Sequence, residues 1–576
     1  MADDDESLPT VRRKLDAADN PATHRAARLK RLTAEPFDVL IIGGGINGAG
    51  VARDAAMRGL RTALVERDDF GSGTSSRSSR LIHGGVRYLE HGHLHLVFES
   101  SRERRTLLRI APHLVRPLRF TWPVYRGSRI PLWKLSAGLF MYDALAVFRN
   151  VDHHRRLDAR EVLAHEPALR RDDLTGGAEY HDASTDDARL TLANVIDAEE
   201  HGAVAVNHVA VVRLLRDGDR IAGAVIRTTA DGTEATIRAN VVVNATGAWT
   251  DTLRAMDAGA GVRALRATRG TKGVHIAISR ERLATHNAIT LLSPTDGRVM
   301  FALPSTATTI IGTTDTPTDE RPEDVRASAE DIDYLLTAAN AFFPTARLTP
   351  DDVVAAWAGI RPLVASGFTR DPASASREHR IDRSASGLIS VSGGKLTTYR
   401  SMAAEIVDVV ERALGRTPSK SRTHSTPLPG GEMRRLDDLQ RAAELEVGDA
   451  VVARRLVEAH GSRWRAVSAL TADEPALARR IVRDLPYVLA EVVYAAEHEM
   501  AVTLADILVR RLRIAYEMAD HGRSASRVAT AVLAGRLGWD NARARTEIAR
   551  YDAEVTRIFG TAAGTLARTS EPSVDH

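Results

Sequence analysis

A turn of glycines is the first place in this chain where residue type and spacing point to chemistry. Gly43-Gly44-Gly45-Ile46-Asn47-Gly48 has GxGxxG spacing. The first glycine of such a turn permits a tight bend, and the second lets the backbone approach a pyrophosphate. The third lets the following helix pack closely on the strand before it. Ile46 and Asn47 then stand at the helix amino terminus, which favours negative charge. Glu66 comes 18 residues after Gly48, where an acid hydrogen-bonds the adenosine ribose. The run Val241-Val242-Val243-Asn244-Ala245-Thr246-Gly247-Ala248-Trp249 reads as a second buried strand with a small-residue turn. A turn of that kind, with Gly247 and Trp249, returns to the cofactor crevice in flavoprotein folds, and a nicotinamide-only domain has no need of it. FAD is therefore preferred over NAD, with an ordinary core strand and glycine cap as the alternative.

Four longer runs add family detail. They are Gly73-Thr74-Ser75-Ser76-Arg77-Ser78-Ser79-Arg80-Leu81-Ile82-His83-Gly84-Gly85-Val86-Arg87-Tyr88-Leu89, Ile310-Ile311-Gly312-Thr313-Thr314-Asp315, Gly359-Ile360-Arg361-Pro362-Leu363 and Gly393-Gly394-Lys395-Leu396-Thr397-Thr398-Tyr399-Arg400. Together they resemble the FAD-dependent glycerol-3-phosphate dehydrogenases of the aerobic, respiratory type. Glu499-Met500-Ala501, Asp506 and Arg510-Arg511 are similar to that family's helical domain. The resemblance implies oxidation of sn-glycerol 3-phosphate to dihydroxyacetone phosphate, with electrons passing from FAD to a membrane quinone. It also implies that Thr74, Ser75, Ser76 and Ser79 border the cofactor and that Gly394, Lys395, Leu396 and Thr397 lie beside the isoalloxazine; a homo-oligomer, a dimer, is expected, although no residue pattern specifies it.

The residue types suit that reaction. A secondary alcohol gives its carbon hydrogen to the flavin as hydride while the hydroxyl proton leaves to a base. Histidine is the natural base near neutral pH. His83 sits among small glycines where a ligand can approach, although a structural histidine bonded to the backbone would look the same. With the resemblance, His83 is the leading candidate for the base, ahead of His275, which is assigned to substrate binding. A phosphate needs fixed cations, and arginine presents a planar fork to its oxygens. Arg87, Arg361 and Arg380 fall within matching segments and are assigned to phosphate and hydroxyl recognition. Tyr88 is either a phosphate hydrogen-bond donor or a core aromatic. Lys395, one of only six lysines in the chain, is placed to hold substrate or to stabilise negative charge on the reduced flavin.

These residues need elements to carry them. Phe37–Ile42 reads as a buried strand, followed by the glycine turn, a helix to about Arg58 and a second strand from Arg61 to Val65. The alternation at Ile221–Arg227 and the Asp231-Gly232 dipeptide predict a hairpin leading to a strand over Ala239–Asn244. Strands are also expected at Gly273–Ile278, Val299–Leu303, Thr309–Gly312 and Leu388–Gly393. The expected fold is α/β: a Rossmann-like FAD domain with an inserted antiparallel substrate sheet drawn from about 260–385, D-amino-acid-oxidase-like, and an all-α carboxy-terminal domain. The boundaries are a flexible tail over 1–36, an oxidoreductase domain over 37–424 and a helical domain over 425–576. Ala501–Tyr516 has helical spacing.

Composition narrows the rest. The 576 residues contain no cysteine, which excludes disulfides, thiolate metal sites and sulfur-tethered flavin. Formal net charge is only +3, and with the flavin fingerprint present, nucleic-acid binding is not expected. Met1–Thr10 lacks a basic-then-apolar leader pattern, and the longest apolar stretch, Ala137–Phe148, is short and interrupted by Asp143. The expected location is cytoplasmic, with peripheral contact on the membrane. Residues 102–149 hold ten Lys and Arg against two acids, with Trp122, Tyr125, Trp133, Phe140, Met141 and Tyr142 among them. That mixture suits an anionic headgroup zone or a solvated basic face around an ordinary core. Two relatives of the same scaffold compete with the main reading: an oxidase that hands electrons to oxygen, and an amine or amino-acid oxidase. No metal site is expected.

Overall fold

The structure, a computed structural model, describes residues 20–85, 94–146, 152–259, 266–365 and 379–561. Phe37–Ile42 is buried at every residue and lies between Thr62–Val65 and Glu234–Asn244, parallel to both. A strand covered on both faces needs an almost unbroken apolar sequence, which Phe37-Asp38-Val39-Leu40-Ile41-Ile42 supplies. The sheet runs His379–Arg383, Ile389–Gly393, Glu234–Asn244, Phe37–Ile42, Thr62–Val65, Val204–Val206. Its outermost strand, His379–Arg383, is antiparallel to its neighbour. Helix Ile46–Met57 packs between helices Asp187–Glu200 and Tyr399–Ala413 on one face. The predicted hairpin joins Arg220–Thr228 to Glu234–Asn244, with Gly232 at φ +72° in its turn.

Among the described residues the second sheet has ten strands. Thr268–Ser279 pairs antiparallel with Val353–Val364 along nearly its whole length and with Thr308–Gly312 on its other side. The expected source of this sheet needs correction. Val115–Tyr125, Leu174–Thr185 and Leu81–Ile82 also belong to it, so this sheet begins well before residue 260. Val115–Tyr125 was concealed by its basic and aromatic composition, because its half-exposed end carries Arg116 and Arg119 while its other end is buried.

The flexible-tail reading also fails for part of its range. Pro21–Ala34 is a helix, with Asn20 as N-cap and proline in its first turn. It is held by the two-pronged ion pair of Arg28 with Glu199 (2.8 Å for each bond), by Arg25 on Asn207, and by Leu32, which is fully buried. Few apolar residues and many charges look unfoldable in isolation, but here the charges have specific partners on the oxidoreductase domain.

Between Ala413 and Leu436 the chain runs without helix or strand, and the rest is helical: Leu436–Val447, Ala450–His460, Trp464–Asp473, Leu489–His498, Arg523–Leu537 and Asn541–Phe559. Ala501–Tyr516 is not one regular helix. A π-helical turn spans Asp506–Arg511, and Arg513 at φ +61° separates it from the short helix Ile514–Glu517. In the 102–149 segment, Trp122, Tyr125 and Tyr142 are buried core, while Trp133, Phe140 and Met141 on helix Leu132–Leu145 are 72%, 59% and 46% exposed. Leu94 and Phe98 on the adjoining helix Leu94–Ile110 are exposed as well. Among the described residues no helix is long and apolar enough to cross a membrane.

Candidate active site

One elongated cavity of about 440 Å³ runs between the two sheets. Its first end is the glycine turn. Gly43 has φ +106°, and a side-chain carbon there would lie 2.7 Å from the Ala245 carbonyl oxygen. At Gly48 it would lie 1.9 Å from the Gly43 carbonyl oxygen, so this glycine serves helix-to-turn packing and is not on the cavity wall. Gly45 caps the helix and lines the cavity together with Ile46 and Asn47. The Ile46 amide donates to Ser75 Oγ at 2.9 Å.

Glu66 stands at the carboxyl end of Thr62–Val65 and lines the same end. Its Oε2 accepts from the Gly44 amide at 2.6 Å and its Oε1 from the Asp68 amide at 2.9 Å. Burial pushes its carboxyl up in spite of those two bonds. Gly247 has φ +59° with nothing within 4 Å of where a side chain would begin. Trp249 lines the cavity beneath the Arg67 guanidinium, 4.8 Å from the ring centre. A helix amino terminus, Gly45 and the open Gly247 on the wall, and an acid at the strand end fit the phosphates and ribose of FAD.

The same wall also carries residues assigned to catalysis and substrate binding. His83, His275, Arg361, Lys395, Leu396 and Thr397 all line it, as does Gly394. The His83 amide bonds Thr397 Oγ1 at 3.2 Å, which joins the two motifs that carry the proposed base and lysine. Arg361 donates to Thr313 Oγ1 (2.9 Å), the Thr314 carbonyl (3.1 Å) and Asp315 Oδ1 (3.0 Å). His275 is buried, its Nε2 lies 2.9 Å from Ser79 Oγ, and its ring stacks on Trp357 at 5.5 Å. Burial, then the Arg361 and Arg80 charges, lower the His275 pKa to about 3, so its ring is neutral at physiological pH. Gly273 and Gly312 make room for this pair. A side-chain carbon at Gly273 would press on the Arg361 guanidinium (2.5 Å), and one at Gly312 on the His275 ring (2.2 Å). Lys395 also borders a smaller cavity with His95, Glu99, His379 and Glu405.

Two assignments do not hold. The Arg380 side chain is 62% exposed, bonds Asp382 at 2.8 Å and is not on the cavity wall. The two-residue alternation of strand His379–Arg383 buries Ile381 against the core and sends Arg380 to the opposite face. Ser76 is likewise off the wall; it is buried, and its carbonyl accepts from the Tyr516 hydroxyl at 3.0 Å. Thr74, Ser75 and Ser79 do line the cavity. Arg87 and Tyr88 lie outside the described residues.

Other wall residues were not singled out from sequence. Arg298 and Asp315 lie 3.7 Å apart, and Asp315 thereby joins Arg298 to Arg361. Arg77, Tyr180, Asp182 and Phe301 are also on the wall. Asp315 closed one of the quoted runs, but Arg298 follows a plain Asp-Gly turn and has no local signal that separates it from a surface arginine.

A family model described as FAD dependent oxidoreductase matches residues 38–408, and one described as the C-terminal domain of alpha-glycerophosphate oxidase matches 421–544. Glycerol-3-phosphate dehydrogenase 2 of Mycobacterium tuberculosis is 40% identical over 94% of this chain and 91% of its own. The glycerol-3-phosphate dehydrogenase of Synechocystis is 38% identical over 89% of this chain and 95% of its own. The crystal structure of the Bacillus halodurans glycerol-3-phosphate dehydrogenase complexed with FAD superposes with a TM-score of 0.77 at 32% identity, covering 93% of this chain and 98% of that one. Both domains and the flavin cavity between the two sheets are thus accounted for together: the chain belongs to the FAD-dependent glycerol-3-phosphate dehydrogenase family.

Proposed function

We propose that the protein oxidises sn-glycerol 3-phosphate to dihydroxyacetone phosphate and passes the electrons on to a membrane quinone. The observation that carries this reading is that Arg361, Arg298 and Lys395 line the flavin cavity together with His83 and His275. Several cations on one cavity wall, two of them joined through Asp315, suit a phosphate dianion better than the single carboxylate of an amino acid. Bound FAD supplies a two-electron acceptor for the hydride from the alcohol carbon. Arg361 and Arg298, fixed by Asp315, hold the phosphate. His275, neutral and oriented by Ser79, hydrogen-bonds the substrate. His83 takes the hydroxyl proton as the carbonyl forms, and Lys395 offsets the negative charge that accumulates on the flavin side.

Support for the quinone as acceptor comes from the surface. Trp133, Phe140 and Met141, with Leu94 and Phe98 on the adjoining helix, are exposed, and the 102–149 segment around them is rich in arginine. Exposed aromatic and aliphatic side chains among cations suit shallow attachment to an anionic bilayer, where a lipid quinone is reached. The same reading includes a homodimer on the cytoplasmic face of the membrane.

Anaerobic titration of the yellow protein with sn-glycerol 3-phosphate tests the proposal. Bleaching of the visible flavin band, reversed faster by a soluble quinone than by air, is the expected result. Reversal by air at the same rate would make the protein an oxidase. No bleaching would overturn the substrate.

A further inference from the structure

Residues 72–75 and 77–79 form one wall of the flavin cavity, yet much of what fixes this segment comes from the far end of the chain. Just before it, Asp69 is fully buried and accepts from Arg510 Nε (2.6 Å) and from both terminal nitrogens of Arg511 (2.5 and 3.1 Å). At its middle, the Tyr516 hydroxyl donates to the Ser76 carbonyl at 3.0 Å. At its end, the Ser78 hydroxyl donates to Asp187 at 2.6 Å, and Arg513 holds Asp187 (3.1 Å) and Asp186 (2.6 Å) in turn. Arg510, Arg511, Arg513 and Tyr516 all lie in the broken helical stretch of the carboxy-terminal domain. The π-turn and the left-handed Arg513 explain why so many side chains from one short stretch reach the same wall: a regular helix would spread them around its circumference.

We propose that the carboxy-terminal domain retains FAD without touching it, with Arg510, Arg511, Arg513 and Tyr516 acting as positioning residues for the cofactor-binding segment. The chemistry favours this. A buried aspartate satisfied by two guanidinium groups has little freedom to move, and the backbone beside it is fixed with it. Ser75 is part of the segment so held, and its hydroxyl meets the amide of Ile46 at the pyrophosphate end of the helix. Loosening the segment from behind therefore disturbs the cradle in front. The proposal depends on FAD and not on the substrate or the electron acceptor.

The test compares FAD release from the full-length holoenzyme, followed by flavin fluorescence below the unfolding temperature, with the unfolding midpoint by circular dichroism. Tyr516→Phe keeps the ring against Trp357 and Phe559 and removes the one bond to Ser76. It is expected to speed release roughly 2–10-fold, the worth of one hydrogen bond, with little change in midpoint. Arg513→Gln is expected to speed release further. Arg463→Gln breaks the ion pair with Glu200, another contact between the domains, and should leave release within about twofold of wild type. Release from Tyr516→Phe at the wild-type rate would overturn the proposal even if Arg513→Gln failed to fold. So would equal acceleration in Arg463→Gln, which would mean general loosening.

Discussion

Arg361 directs its guanidinium at Thr313, the Thr314 carbonyl and Asp315 while its outer edge faces the cavity. A cation fixed in this way pays little ordering entropy when a phosphate arrives. Arg361→Ala should therefore lower kcat/KM for glycerol 3-phosphate by roughly 10²–10⁴, as expected for two lost charge-assisted hydrogen bonds. The visible flavin spectrum should be retained; steady-state kinetics and the spectrum on one preparation check both parts, and wild-type kinetics would remove Arg361 from the substrate. At this scale the sequence is legible where a motif constrains several residues at once. Gly43, Gly45, Glu66, His83, Arg361 and Lys395 all reach the cavity wall. It is poorly legible for single arginines, because side-chain direction depends on strand phase. Arg380 is one such case: no strand is expected from sequence at His379–Arg383, and the face Arg380 takes follows from that strand's pairing with Ile389–Gly393. Arg298 is the converse, reaching the cavity from the turn before strand Val299–Pro304, where the sequence gives no sign of it.

Elements with a strong local pattern read well. The buried strand Phe37–Ile42, the glycine turn and the helix after it follow from apolar burial and steric demand. Their prediction is correspondingly direct. At Gly45 an added side-chain carbon would meet only Ser75 Oγ, at 3.2 Å, so Gly45→Val should fold while its branched side chain fills the pyrophosphate approach. The purified variant is expected to be colourless with near-normal circular dichroism, and a yellow protein would refute that account of the turn. Elements defined by distant partners read poorly. Pro21–Ala34 has an N-cap and a proline in its first turn, yet its charges look solvated until Glu199 and Asn207 are brought to them. Val115–Tyr125 owes its strand to the twelve-residue Leu174–Thr185 beside it, and no local pattern announces that pairing. The helical spacing of Ala501–Tyr516 concealed the break, because the apolar residues on both sides of Arg513 still point inward.

Across the whole molecule, the two domains are joined by buried charge as well as apolar packing. Glu499 of the helical domain accepts from Arg189 at 2.5 and 3.3 Å. Burial alone would raise its carboxyl, but the Arg189, His460 and Arg511 charges outweigh this and bring it from 4.5 down to about 2. A folded-state value below the unfolded one contributes stability that is complete above about pH 4.5 and is lost as pH falls toward 2; the shift corresponds to about 3 kcal/mol. The urea stability of wild type should accordingly exceed that of Glu499→Gln most above pH 4.5, with the gap narrowing at lower pH. A gap independent of pH would contradict the ionised pairing. The far-separated origin of the cavity walls has a consequence for the life of the protein in the cell. Gly43, Ala245, Arg361 and Lys395 border one space, and Arg511 fixes that space from behind. During synthesis the walls are complete once Thr397 has emerged, but the support behind them only once Arg511 has. If that support matters as proposed, a chain that stops between these two points carries the walls without their backing and should release flavin faster than the full chain.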